Sequence, residues 1–170
     1  MTSRKSSSKP PTPYNTNSFQ VDASSRLGIT PKRAMDLAQD IYDDGFISYP
    51  RTDNTIYPDS LPLEKTIRSL VKIKDFAAAA PILEKPLKPT QGKKFDAAHP
   101  PIYPTHALYP SALEGPKARV YELIVRRFLA TFGEPMVTES TRADIEAGSE
   151  TYFVRGKVVV DPGYAGIYTY

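Results

Sequence analysis

The sequence predicts an α+β chain: a mainly helical domain over residues 13–136, then β-strands of a second domain, 137–170, that is left incomplete. Three observations lead there. Apolar residues recur at three- and four-residue spacing in two stretches before Gly45 and again between Pro116 and Phe132. Helix-starting and helix-stopping residues bracket those stretches. From Val137 the pattern becomes alternation, with Ser140, Arg142, Asp144 and Glu146 set against Thr141, Ala143 and Ile145.

Residues 1–12 are rich in Ser, Lys and Pro and read as an extended linker or tail. Thr16 or Asn17 caps a helix to about Leu27, with Phe19, Ala23 and Leu27 on one face and Gly28 as its C′ residue. Thr30-Pro31 opens a second helix with the stripe Ala34, Leu37, Ala38 and Ile41. The short turn between them suggests a helix-turn-helix, with an αα-hairpin packed only for the core as an equal alternative. A third helix is expected from about Leu61 to Lys74, extending through Phe76–Ala80 until Pro81 interrupts it. Lys85–Lys94 reads as a solvated loop. Glu114-Gly115-Pro116 begins the clearest helix, with Val120, Leu123, Ile124, Phe128 and Leu129 on its apolar face and Arg119, Arg126 and Arg127 elsewhere around it. Tyr152, Val154, the run Lys157–Val160 and the stretch Gly163–Tyr170 read as strands and turns that cannot close a sheet of their own.

Composition narrows the classes. A chain of 170 residues without cysteine has neither a disulfide framework nor a thiolate metal site. It contains no apolar run of membrane-spanning length and no hydrophobic leader, so no membrane partner is expected. The net charge of +3 comes from Arg4, Lys5 and Lys9; with those set aside, the 22 basic residues fall to the 19 of the acidic ones. Nucleic-acid binding by a broad basic excess is therefore excluded, and a polyanion partner would need local geometry.

That geometry is suggested by Ile47-Ser48-Tyr49-Pro50-Arg51-Thr52-Asp53-Asn54, which follows directly on the second helix. In an extended segment residues two apart share a side, so Tyr49 and Arg51 are placed to face one phosphodiester. A free phenol titrates at about 10 and is a poor nucleophile at neutral pH. A neighbouring guanidinium favours the phenoxide and stabilises charge developing on phosphorus. Thr52 and Asp53 are expected to support Arg51 or the turn rather than bind metal, since a hard cation needs several converging oxygens. Asp144 and Glu146 read as a wet strand face. His99, held in an extended proline-flanked segment, is suited to contact a phosphate oxygen. Thr105 closes that segment as a supporting residue, and His106 reads as structural.

Residues 40–55 resemble the active-site segment of the type IA DNA topoisomerases. Two further blocks resemble the same family in the same order. Pro13-Tyr14-Asn15-Thr16 leads into Leu27-Gly28 and Ala34-Met35-Asp36-Leu37-Ala38-Gln39, and His99-Pro100-Pro101-Ile102-Tyr103-Pro104-Thr105 follows downstream. The proline after Tyr49 and the His-Pro-Pro-Ile block look more like the archaeal topoisomerases I and the topoisomerases III. The resemblance implies a winged-helix-like tyrosine domain followed by the start of a β-rich arch. It implies single-stranded DNA as partner, with cleavage and religation through a transient 5′-phosphotyrosine bond and without ATP. Tyr49 matches the nucleophile, Arg51 the basic position and His99 the histidine of the second block. Tyr103 departs from the pattern, because many relatives carry His or Arg there; base stacking and plain packing both remain open for it. The resemblance further implies Mg2+ in the full-length enzyme, held by an acidic N-terminal module that is not found in this chain. A cytoplasmic, nucleoid-associated location follows, and the chain alone is expected to be inactive. A non-catalytic winged-helix DNA-binding module is the alternative, with Lys32, Arg33 and Gln39 of the second helix as its readers. A protein-interaction domain with no DNA role has no specific feature behind it.

Overall fold

The computed structural model describes residues 1–169; the strand or turn expected to reach Tyr170 lies, at that residue, outside them. Helices α1 (Thr16–Leu27), α2 (Pro31–Asp43) and α4 (Pro116–Ala130) pack on one another and form the body of the molecule. The start of α1 is one residue earlier than expected. Asn15 is the cap: its side chain accepts from Ser18 N at 2.9 Å, and the Ser18 hydroxyl accepts from Asn15 N at 3.1 Å. Gly28 ends the helix at φ 67°, the left-handed conformation that a glycine reaches without strain. Thr30 caps α2, its hydroxyl accepting from Arg33 N at 3.2 Å. Phe19, Ala23, Ala34, Ala38 and Ile41 are fully buried, as their spacing predicts.

Helix α4 is more central than one apolar face implied. Tyr121, Val125 and Ala130 are buried along with the expected stripe, and Arg126 and Arg127 are mostly covered. The covered Arg127 guanidinium donates to Thr12 O at 2.8 Å and to Asp22 Oδ2 at 3.0 Å, and it lies over the Tyr14 ring. The Tyr14 and Tyr168 phenols both donate to the same carboxylate and touch each other. This network joins α1, α4, the segment leading into α1 and the C-terminal end of the described chain.

Two expectations for secondary structure need correction. The third helix, α3, covers only Leu63–Leu70, and a 3₁₀ segment runs from Lys74 to Glu84 through Pro81. Ile73, Phe76, Ala79 and Ile82 are all buried. Their three-residue spacing suits a helix with three residues per turn, which keeps one apolar edge facing inward. Residues 1–12 are not a free tail. Strand β1 (Thr2–Ser8) pairs antiparallel with β2 (Met136–Ala147), which pairs in turn with β3 (Glu150–Asp161), giving the order β1-β2-β3. The backbone groups along the free edge of β2 supply the partner that the Ser/Lys composition of β1 does not advertise. Gly163–Gly166, within the stretch read as strands and turns, forms a 3₁₀ turn, and it returns Ile167 and Tyr168 to the helical body.

Candidate active site around Tyr49

The segment bearing Tyr49 is anchored at both ends. After α2, Gly45 turns the chain at φ 83°, and its carbonyl accepts the Thr105 hydroxyl at 2.8 Å with His106 Nδ1 at 3.0 Å. Thr105 and His106 thus hold the turn. Ile47 bridges Pro104, and Ser48 N donates to Tyr103 O at 3.0 Å. The Ser48 hydroxyl donates to Pro101 O at 2.8 Å and accepts from Tyr103 N at 3.0 Å. Residues 47–54 therefore run alongside residues 99–104, which are themselves tied to the start of α1 by the Tyr14–Ile102 bridge.

Burial alternates from Ser48 to Asn54, after the buried Ile47. Ser48, Pro50, Thr52 and Asn54 are buried, whereas Tyr49 is half-buried and Arg51 and Asp53 are exposed. The chain bends at Pro50 and Ile47 is buried, so the exposure common to Tyr49, Arg51 and Asp53 is read from the burial of residues 48–54 and not from one continuous strand. The inward set does the holding. Thr16 N donates to Thr52 O at 2.9 Å, the Thr16 hydroxyl to Pro50 O at 2.8 Å, and Thr52 N to the Thr16 hydroxyl at 2.9 Å. The Thr52 hydroxyl accepts from Asn54 N at 3.1 Å and reaches His99 O at 3.4 Å. The Asn54 amide, fully buried, donates to Asp96 O at 2.9 Å and to His99 O at 3.0 Å, while its oxygen accepts from Ile56 N at 2.8 Å.

Those bonds bring the His99 ring against Tyr49, with centroids 5.2 Å apart and planes tilted by 40°. Tyr42, in the last turn of α2, flanks the other side with an edge contact at 5.2 Å. His99 Nδ1 lies 3.6 Å from Asp96 Oδ2. The Asp96 carboxyl is held below the usual carboxylate range, chiefly by the hydrogen bond from Ala98 N and further by His99. Among the described residues, no hydrogen bond or ion pair engages Arg51, whose guanidinium stands exposed on the Tyr49 face. Asp53, exposed and likewise unengaged, does not orient Arg51; Thr52 supports the segment through its inward bonds instead. Tyr103, one of whose open roles was stacking on a base, is buried with its ring 6.1 Å from those of Tyr57 and Phe128, and it packs.

The Mg2+ that the resemblance implies does not fit these residues. Among the described residues no three His, Asp or Glu side chains converge. Asp96 is committed to Ala98 and His99. Asp144, one member of the strand pair, is bonded to Arg142.

Ser48, Asn54, Thr16, Tyr42 and Asp96 carried no expectation as site residues; Thr16 was expected only as a helix cap. A signal was present for the first two. A half-buried strand alternates apolar with polar residues, whereas here small hydrogen-bonding residues occupy the face opposite Tyr49 and Arg51.

A helical body carrying a short antiparallel sheet is also what comparison with known proteins finds. A DNA topoisomerase family model matches residues 1–170, and the chain belongs to that family. It falls with the type IA enzymes. It is 40% identical over 162 residues to DNA topoisomerase 1 of Pyrococcus horikoshii, covering 94% of this chain and 24% of that protein. It is 38% identical to DNA topoisomerase 1 of Methanothermobacter thermautotrophicus, covering 95% of this chain and 22% of the relative. The solved structure of full-length topoisomerase I from Thermotoga maritima superimposes with a TM-score of 0.71 at 26% identity, over 99% of this chain and 29% of that one. The chain thus spans about a quarter of the length of these relatives.

Proposed function

We propose that this chain is the tyrosine-bearing segment of a type IA DNA topoisomerase that cuts and reseals one DNA strand. The observation that carries this reading is the exposure common to Tyr49 and Arg51, with His99 packed on the Tyr49 ring. The Tyr49 phenol oxygen attacks a backbone phosphorus, and the bond from phosphorus to the 3′ oxygen breaks. The phenol loses its proton and the departing 3′ oxygen gains one. The strand's 5′-phosphoryl end remains on the tyrosine, and attack by the same 3′-hydroxyl reverses both steps. One phosphodiester is exchanged for another, so no nucleotide triphosphate is required. Arg51, without a protein partner among the described residues, neutralises charge building on the phosphoryl oxygens, and His99 positions the strand by donating to an adjacent phosphate. Mg2+, where the whole enzyme uses it, is held by an acidic module outside this chain.

The non-catalytic reading is weaker on α2. The exposed Lys32 and Arg33 share that helix surface with exposed Asp36, Asp40 and Asp43, and Gln39 is bonded to Asp43 at 3.0 Å. Such a surface is not the basic face that a polyanion favours. The winged-helix likeness of α1 and α2 is, on this reading, a scaffold for the Tyr49 segment. The test uses the parent enzyme and one DNA strand labelled at either end, denatured after cleavage. Label at the 3′ end should stay on a peptide containing Tyr49, and label at the 5′ end should be released. Retention of the 5′ label, or adduct on another residue, overturns the assignment.

A further inference from the structure

The sheet carries a feature that the Tyr49 site does not use. Its register places Arg142 directly opposite Arg155, and it sets Arg4, Ser140 and Lys157 in the neighbouring cross-strand row of the same face. Four cations from three strands thus surround one shallow depression. Among the described residues only one of them is paired with a carboxylate: Arg142, with Asp144 at 2.7 Å. Phe153 lies on this face, exposed, with the Arg142 and Arg155 guanidinium carbons 4.7 and 5.0 Å from its ring centre.

Like charges directly opposite each other weaken a strand pair. Asp144 offsets the Arg142 charge, which leaves Arg4, Arg155 and Lys157 as the cations that an anion seated here would meet. The two faces of the sheet also differ. The other face carries exposed Ile145, Tyr152, Val154 and Val158, which hydrophobic burial tends to cover. The basic face also carries exposed Phe153 and Val159, but it is the one that gathers the four cations. Arg4 belongs to the segment that, read from sequence, was only a tail; pairing of β1 delivers its charge to the cluster.

We propose that this face, formed by Arg4, Arg142, Arg155 and Lys157 around Phe153, is a second contact for the phosphate backbone of a single DNA strand, apart from the Tyr49 segment. Guanidinium and ammonium groups take the phosphates, and the guanidinium-flanked ring offers a surface on which one base can stack. The proposal rests on DNA being the partner, but not on Tyr49 being the nucleophile.

The test is the salt dependence of single-strand binding by this chain, read by fluorescence anisotropy of a labelled oligonucleotide. Each phosphate contact on a single strand contributes about 0.7 to the slope of log affinity against log salt. Changing Arg4→Ser, Arg155→Thr and Lys157→Thr together should make the slope shallower by about 2. Lys157→Thr alone, which spares the sheet from a triple change, should remove about one third of that. Three substitutions off the sheet, Lys65→Ser, Lys72→Ser and Lys88→Ser, should leave the slope nearly unchanged. An unaltered slope in the sheet variants, or an equal change in the off-sheet set, overturns the proposal. If only Arg51→Ala with His99→Ala weakens binding, the sheet contact fails while the enzyme reading stands. If the unaltered chain does not bind a single strand at all, the sheet contact fails, and adduct mapping in the parent enzyme decides the enzyme reading separately.

Discussion

Replacing Asn54 with alanine tests whether the inward face of the segment holds the site together. Asn54 is fully buried, and its side chain makes three hydrogen bonds, to Asp96 O, His99 O and Ile56 N. Alanine removes all three and leaves two carbonyls and one N–H without that partner. A buried polar group left unsatisfied costs about 1–3 kcal/mol. His99 O keeps a weak contact with the Thr52 hydroxyl, and a water entering the vacated space would restore part of the loss. The expected cost is then about 3 kcal/mol. With a urea slope of about 2 kcal/mol per M, the unfolding midpoint should fall by about 1.5 M. Asn54→Asp, with nearly the same shape, separates hydrogen bonding from packing. Its ionised carboxylate faces two carbonyl oxygens and is disfavoured, whereas the protonated acid can donate to one of them. The aspartate variant should therefore gain stability as pH falls, relative to the alanine variant. In the parent enzyme both substitutions should slow cleavage, because the loop from Asp96 to His99 loses its tether. An Asn54→Ala chain with an unchanged urea midpoint would refute the reasoning.

Arg51→Ala should lower the cleavage rate of the parent enzyme about 10²–10³-fold while changing strand affinity much less, because the charge it meets develops mainly in the transition state; a loss confined to affinity would contradict that role. Arg127→Ala leaves Asp22 without its main cation, in contact with two phenols, and should cost about 3 kcal/mol in urea unfolding; a neutral result would make the network incidental. Burial holds Tyr14, Tyr57, Tyr103, Tyr121 and Tyr168 above the ordinary phenol value, the last two at about 12. A group raised on folding favours the folded state below its unfolded value, and that advantage is lost as pH climbs through the folded value. Stability should therefore fall above about pH 10, with a late phase in near-ultraviolet phenolate titration; eleven tyrosines ionising together in the folded chain would contradict it.

The parts of the fold that were legible in the sequence are those set by local rules. Gly28, Thr30-Pro31 and Gly115-Pro116 mark helix ends through their own backbone preferences, and the apolar spacing of α1, α2 and α4 carried over into burial. What was not legible depends on distant partners. Strand β1 has no alternation because all seven of its residues are exposed, and its reason to be extended is an edge more than a hundred residues away. The 3₁₀ run after Ile73 has a three-residue apolar period that a helix reading absorbs easily. Arg127 looks like a surface charge until Asp22 and Thr12 are placed beside it. At the site, the sequence expected Tyr49 and Arg51 on one side with His99 in a neighbouring block; the alternating burial of residues 48–54 and the Tyr49–His99 ring contact are what the structure adds. The buried tether of Asn54 to residues 96 and 99 was not legible, since it joins segments separated by forty residues or more.

The central claim is that Tyr49 forms the covalent bond to DNA. The direct measurement compares the parent enzyme with its Tyr49→Phe variant on a 3′-labelled single strand, scoring adduct on a denaturing gel and strand binding in parallel. Removing one hydroxyl from a half-buried ring leaves the contacts with Tyr42 and His99 in place, so the account predicts retained binding with no detectable adduct. Adduct at the normal yield from the phenylalanine variant would contradict it.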